Sequence, residues 1–470
     1  MTVPPPLSLE TTSTQRTTGP WRAAGGRVAA IPVWPWLAYN GVLAASFPAV
    51  AAYYLARMAS RGTLGRNWRQ RLGLLFADDL SALRPGAERI WVHAVSAGET
   101  VAAAPVIAEL AALRPQADIV LSTTTPAGQR VAPKAAPQAR AIIYFPIDLL
   151  PSAAAALRAV RPDVCIQVET ELWPNFLALA RRRGAFVAVV NGRVWRTARP
   201  GRMWRRVMGW TLAQVDLFCM QSAPDAERII ALGTDPGRVL VTGNTKFDQA
   251  SAGVNELAVE SLRAQLRLAD DDLVLVAGST HRGEDEIVLD AFRMIAAERP
   301  SARLIIAPRH IERTAAVEAL ASQRGFTTVR RSDSARGDRR PVILLDTMGE
   351  LAAAYGLAEV AFVGGSLAPI GGHSLLEPLA CGKPILFGPH MHKQADIARI
   401  VQAAGVGSVV ADTRGLAEQV LRHMNEGNRA EFAARCRALF EANRGAARRC
   451  AEAIAERVGW AAAEASAGSV

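Results

Sequence analysis

Cysteine is scarce in this chain: five in 470 residues, at Cys165, Cys219, Cys381, Cys436 and Cys450. They stand without metal-ligand spacing, and no Cys/His cluster of zinc type occurs. A disulfide framework and a structural zinc are therefore not expected, and the thiols read as buried groups of a reducing compartment. Acidic residues are also in deficit, 43 Asp+Glu against 54 Lys+Arg, which leaves a formal charge of +11. That imbalance favours an anionic partner: nucleic acid, acidic lipid headgroups or a phosphorylated substrate. No recognition helix or RNA-binding signature is present, which argues against nucleic acid. Long-range disorder is excluded for most of the chain, because half of its residues are hydrophobic. The length suffices for two core-bearing domains and appendages.

Charge is missing altogether from Ile31 to Leu55. Residues 1–30, before it, are small or polar and rich in Thr, Pro and Gly, and read as a disordered tail. The uncharged run exceeds the about 20 residues that cross a hydrocarbon core. Trp34, Trp36 and Tyr39 at one end and Tyr53 and Tyr54 at the other resemble interfacial belts, and Arg57, Arg61, Arg66, Arg69 and Arg71 follow. The expectation is a membrane anchor over 31–58 with the bulk of the protein in the cytoplasm. A buried or surface-lying helix is the alternative, since Pro32, Pro35 and Pro48 interrupt the run.

From Arg89 to Asn244 short apolar runs alternate with helical patterns, the signature of a parallel sheet covered on both faces. The runs are Ile90–Val95, Ala117–Thr123, Ala141–Phe145, Val164–Val168, Phe186–Val190, Leu217–Met220 and Val239–Thr242. Residues 246–262 are polar with weak pattern and read as a linker. The alternation restarts with Leu273–Ala277, Arg303–Ala307, Val342–Leu345, Val360–Val363, Pro384–Phe387 and Gly407–Val410. Two Rossmann-like domains are expected, over 59–245 and 263–458, facing a cleft outside the carboxyl ends of their strands.

The densest chemistry lies after the strand Val360–Val363. The segment Gly364-Gly365-Ser366-Leu367-Ala368-Pro369-Ile370-Gly371-Gly372-His373-Ser374-Leu375-Leu376-Glu377-Pro378 reads as a glycine-rich loop opening a short helix. Bare amides there would hold phosphate and Glu377 would accept from ribose hydroxyls, so a nucleotide-sugar pocket is expected. Five more strand ends carry candidates. Glu99, in Ser96-Ala97-Gly98-Glu99, is placed to take a proton from an attacking hydroxyl, or merely to favour a helix start. Glu169-Thr170-Glu171-Leu172-Trp173-Pro174-Asn175 offers two carboxylates and an apolar platform, or a capping box and core. In Gly243-Asn244-Thr245-Lys246, Lys246 neutralises a substrate charge or is a plain surface lysine. In the second half Pro308-Arg309-His310 offers a phosphate fork, and Asp346-Thr347-Met348-Gly349-Glu350 a contact to base or ribose. Six arginines between Arg193 and Arg206, with Trp195 and Trp204, suit a membrane surface or a bisphosphorylated lipid headgroup, or form a solvated face.

Taken in order, these motifs resemble the 3-deoxy-D-manno-octulosonic acid (Kdo) transferase family. They are His93 to Glu99, Glu169 to Asn175, Gly243 to Asp248, Pro308-Arg309-His310, Met348-Gly349-Glu350 and the glycine segment through Gly388-Pro389. The resemblance implies a GT-B glycosyltransferase that moves Kdo from CMP-Kdo to a tetraacylated lipid A precursor. The reaction would be an inverting single displacement at the cytoplasmic face of the inner membrane, without a metal or other cofactor. It implies Glu99 as general base, with Glu169 and Lys246 assisting the transition state. Pro308, Arg309, Met348, Gly349, Glu350, Ser374, Leu375, Leu376 and Glu377 would hold CMP. The chain departs from the family pattern at Ser374, where asparagine is usual, and at Met391-His392-Lys393-Gln394. A related transferase with another CMP-activated acidic sugar or another lipid acceptor is the alternative.

Overall fold

The computed structural model describes residues 33–59, 66–169, 171–194, 208–250, 255–333, 340–425 and 429–460. They form two compact units, one of Met1–Thr245 with Ala447–Val470 and one of Lys246–Ala446.

The first unit holds seven parallel strands: β1 (Arg89–Ala94), β2 (Asp118–Thr123), β3 (Ala139–Tyr144), β4 (Val164–Val168), β5 (Phe186–Gly192), β6 (Leu217–Met220) and β7 (Val239–Val241). Their order across the sheet is β3-β2-β1-β4-β5-β6-β7. Both faces are covered, so the strands are apolar at nearly every position. On β1, Ile90, Val92 and Ala94 pack toward Val106, Ile107 and Leu110 of the helix Ala97–Leu113. Trp91 points the other way, among Phe145, Leu157 and Phe176. Each such fully buried side chain contributes about 1.5–3 kcal/mol. Packing on both faces holds the strand ends, and so the site, in place.

The second unit repeats the plan with β8 (Leu273–Thr280), β9 (Ala302–Pro308), β10 (Thr328–Arg330), β11 (Val342–Leu344), β12 (Val360–Val363), β13 (Ile385–Phe387) and β14 (Gly407–Val409). All pair in parallel, in the order β10-β11-β9-β8-β12-β13-β14. In each sheet the first strand lies between its successor and a strand that comes later. β1 separates β2 from β4, and β8 separates β9 from β12. These are the topological switch points, where loops diverge and leave a crevice at the carboxyl ends.

Three expectations change. The run expected as a membrane anchor does form a helix, Val33–Ala59, but no helix among the described residues is long and apolar enough to cross a membrane. Asn40, Ser46 and the small residues between them dilute it. Its first turns carry polar groups at helical spacing that bond to the first unit. The Trp36 indole donates to Asn175 Oδ1 (3.1 Å), the Tyr39 hydroxyl to Asp148 Oδ2 (2.8 Å), and the Asn175 amide to Asn40 Oδ1 (2.8 Å).

The stretch 246–262, expected as a linker, holds the helix Lys246–Ala250 and most of the helix Glu256–Gln265, which Asn255 caps through the Ala258 N–H. The last helix, Ala446–Val458, was assigned to the second domain from the sequence. Instead Ala447, Cys450, Ala451, Ile454 and Val458 pack into the core of the first unit. They recur on one helical face, a stripe that fits either core in principle.

Candidate active site

In the first unit the switch point is flanked by two carboxylates. Ser96 follows β1 and caps the helix Ala97–Leu113: its hydroxyl oxygen accepts the Glu99 N–H at 3.3 Å. The Glu99 carboxylate turns back, accepting from the Val95 N–H at 2.6 Å and the Ser96 hydroxyl at 3.0 Å. This is a reciprocal cap, and it fixes one orientation of the carboxylate. The cap does not keep the group ionised. Burial first, then the nearby Glu169 and Glu171, pushes Glu99 up to about 7, against the weaker pull of its two hydrogen bonds. Glu99 therefore caps the helix, as one of the two sequence readings has it, and its carboxylate is raised to about 7.

Glu169 follows β4 in the left-handed region, φ 59°, and its N–H bonds to Val190 O at 2.9 Å. A non-glycine residue there is strained by roughly 1–3 kcal/mol and is held by its surroundings. The twist turns the side chain off the strand line, where Arg193 lies 3.6 Å away. Glu171 is also raised, by burial and then by Glu169. Three carboxylates thus share one partly dry corner with one arginine. Trp173 packs on the core rather than standing free as a platform. His93, part of the same motif, is a core residue: it stacks on Phe145 with ring centroids 3.6 Å apart, and burial lowers it to about 3.

The loop after β7 is tied down from two sides. Asn191, left-handed at φ 53°, accepts the Thr245 N–H at 3.1 Å, and the Thr245 hydroxyl donates to Ala102 O at 2.7 Å. Lys246, the next residue, is half-buried at the start of its helix. Of the basic patch, Trp195 to Arg206 lie outside the described residues.

In the second unit the switch point is built around a residue missed by sequence reasoning. Glu284 is fully buried. Its Oε1 accepts the N–H groups of Ser366 (2.8 Å), Leu367 (2.8 Å) and Ala368 (3.1 Å), and its Oε2 those of Gly365 (2.7 Å) and His281 (2.9 Å). The glycine loop was expected to offer bare amides to phosphate. Instead five N–H groups, four of them in that loop, converge on one carboxylate. Further along, Gly371 and Gly372 bond to Gly365 O, and His373 to Gly364 O. The loop is a scaffold preorganised by its own internal bonds. A sequence signal for Glu284 did exist. Thr280-His281-Arg282-Gly283-Glu284 after β8 echoes Ser96-Ala97-Gly98-Glu99 after β1, each at the first strand of its sheet.

The expected nucleotide residues share the carboxyl edge of this sheet, but not all are available. Arg309 follows β9 and is exposed, its N–H on Thr280 O at 3.0 Å. Pro308 is the buried last residue of that strand. Met348 is 81% exposed and Gly349 is left-handed at φ 88°. Glu350 is engaged by Arg331 at 2.9 Å and by the Thr347 hydroxyl. Ser374 Oγ accepts the Leu376 N–H at 3.4 Å. Leu375 and Leu376 are core residues and offer no side chain to a ligand, which corrects their place in the expected set. Glu377 is half-buried, and burial raises it. Among the described residues no cluster suited to a metal ion occurs.

Two doubly wound Rossmann-like units in one chain, each with polar residues at its switch point, define a fold of the GT-B type. A solved UDP-GlcNAc 2-epimerase from Neisseria meningitidis is similar in fold, with a TM-score of 0.55 at 13% identity over 79% of this chain and 99% of that one. Residues 66–249 match the family model for 3-deoxy-D-manno-octulosonic-acid transferase (kdotransferase). The chain is 34% identical over 391 residues to the 3-deoxy-D-manno-octulosonic acid transferase of Haemophilus influenzae, covering 81% of this chain and 90% of that protein. It is 32% identical over 394 residues to that of Bordetella pertussis, covering 80% and 89%. The chain belongs to the 3-deoxy-D-manno-octulosonic acid transferase family and is a glycosyltransferase.

Proposed function

We propose that this protein transfers Kdo from CMP-Kdo to a hydroxyl of the tetraacylated, bisphosphorylated lipid A precursor in one inverting displacement. The observation that carries this reading is Glu99, held at a switch point by two hydrogen bonds with its carboxylate raised to about 7. A base with that pKa takes a proton from a hydroxyl as it attacks, and is ready again at neutral pH. The acceptor oxygen bonds to the anomeric carbon as the bond from that carbon to the phosphate oxygen breaks. The electron pair stays on the phosphate and the hydroxyl proton passes to Glu99. Glu169 keeps the pKa of Glu99 high and assists charge development, and Lys246 offsets negative charge on the sugar carboxylate or the phosphate. Arg309, Met348, Gly349 and Glu377 hold the cytidine nucleotide. The proposal needs no metal.

Mass spectrometry of the lipid after incubation with CMP-Kdo tests the reading. A gain of one or more Kdo residues, absent without CMP-Kdo, is expected; an unmodified precursor under all conditions sinks it. Arg309→Ala is expected to raise the KM for CMP-Kdo at least tenfold, the effect of losing a charge-assisted hydrogen bond of about 1.5–3 kcal/mol. Steady-state kinetics with an unchanged KM would remove Arg309 from the donor site.

The lipid acceptor implies work at the cytoplasmic face of the inner membrane. Trp34, Leu37 and Val42 support this. They are 81%, 46% and 68% exposed on the helix Val33–Ala59, away from the face that bonds to Asp148 and Asn175. Replacing all three by serine should weaken co-sedimentation with anionic phospholipid vesicles by about tenfold or more. Equal sedimentation of the variant and the parent would show that this face does not meet lipid.

A further inference from the structure

His281 and His373 come from opposite sides of the second switch point, the one after β8 and the other at the end of the glycine loop. Their rings are parallel within 1°, with centroids 5.2 Å apart and Nε2 to Nε2 at 2.9 Å. That distance is a hydrogen bond, so one Nε2 carries the proton and the other accepts it. Two imidazolium rings cannot hold this geometry, because both nitrogens would be donors. Gly365 makes the pairing possible: a Cβ there would meet His373 Cδ2 at 2.9 Å.

We propose that the His281–His373 pair distinguishes the product nucleotide from the donor: it is uncharged in the free protein and takes up one proton when a phosphomonoester dianion binds beside it. The inference rests on the nucleotide reading above. In a sugar nucleotide the phosphate is a diester with one charge. In free CMP it is a monoester, whose second proton leaves near pH 6, so it carries two charges at neutral pH.

The charges around the pair make the uptake conditional. Arg309, Arg313, His310 and Lys393 face it from the β9 end and from the loop after β13, and Glu284 faces it from the helix Glu284–Glu298. Burial is the largest cause that lowers both rings, and the cations add to it, taking His373 down to about 4. A dianion beside the ring N–H and against Arg309 and Lys393 cancels the cationic part and adds its own attraction for an imidazolium, which offsets burial as well and restores affinity for a proton. A monoanionic diester cancels less. A proton gained on binding means that product affinity falls as pH rises, so the pair helps CMP to leave at higher pH.

Calorimetric titration of the full chain with CMP at pH 7.5, repeated in buffers of different ionisation enthalpy, counts these protons. Between roughly 0.5 and 1 proton should be taken up with CMP, and CMP affinity should fall by up to about tenfold from pH 7 to pH 8. The methyl ester of CMP, a monoanion, should bind with no uptake. His281→Asn and His373→Asn should each abolish the uptake. CMP binding to the unaltered protein without uptake, or equal uptake with CMP and its methyl ester, would overturn this inference and leave the nucleotide reading standing, as would uptake that survives both substitutions. No binding of CMP at all would overturn both.

Discussion

Replacing Glu99 by Gln should lower kcat for Kdo transfer by about 10²–10⁴-fold, the range for loss of a positioned base, while CMP binding stays unchanged. Glutamine keeps the length of the side chain, and its carbonyl oxygen accepts from the Val95 N–H or the Ser96 hydroxyl as Glu99 does. The helix start therefore survives and only proton affinity is lost. Stability gives the control. Glu99 is raised from 4.5 to about 7 in the folded protein. The folded state thus binds the extra proton, and the group's contribution to stability, complete below pH 4.5, disappears as pH rises through about 7. At pH 8 the ionised carboxylate is a burden on the fold, and the Gln variant should melt no lower than the parent. A variant that melts well below the parent, with kcat reduced only in proportion to unfolding, would make Glu99 a cap and nothing more. Such an exchange of stability for function is common at active sites.

The second large effect belongs to Glu284→Gln. One carboxylate takes five N–H groups, three on one oxygen and two on the other. An amide offers one oxygen, and its NH₂ must face donors whichever way it turns. At least two buried N–H groups then lose their acceptor, at about 1–3 kcal/mol each. The variant should lose about 3 kcal/mol or more of stability in the second unit, read by denaturant unfolding. Its CMP affinity should fall at least tenfold, because the loop that carries His373, Ser374 and Glu377 is no longer held. A nearly isosteric change with so large an effect would show that the glycine loop is organised from its own interior. Unchanged unfolding and CMP affinity would show that the loop holds its shape without this carboxylate.

The sheets were legible because parallel strands buried on both faces leave apolar runs that few other structures produce. β4, β6 and β12 match the runs read from the sequence residue for residue. β10 was not legible: Thr328–Arg330 is a three-residue edge strand, only half-buried, and has no pattern to show. The helix Glu256–Gln265 was hidden for a related reason. Among its residues only Leu262 is buried and half are polar or charged, so no clear apolar stripe marks it in the sequence. The return of Ala446–Val458 to the first unit is invisible for a different reason. An apolar stripe records that a helix packs, and nothing in it records against which core.

Glu99, Glu169, Arg309 and Glu377 stood out in the sequence because carboxylates and cations at strand ends are conspicuous. Leu375 and Leu376 were misread because a motif does not separate the residues that touch a ligand from those that seat the motif on the core. Glu284 escaped because its partners lie some eighty residues further on, in a loop whose amides looked free when read alone.

The central claim is that one carboxylate of the first unit, raised by burial and by its neighbours, removes the proton from the attacking hydroxyl. The pH dependence of kcat/KM with CMP-Kdo and the lipid A precursor tests it most directly. The account predicts a rise with unit slope that levels off near pH 7, and a flat, low profile for Glu99→Gln. An inflection near the ordinary glutamate value of 4.5, or a rise through pH 7 that persists in Glu99→Gln, would contradict it.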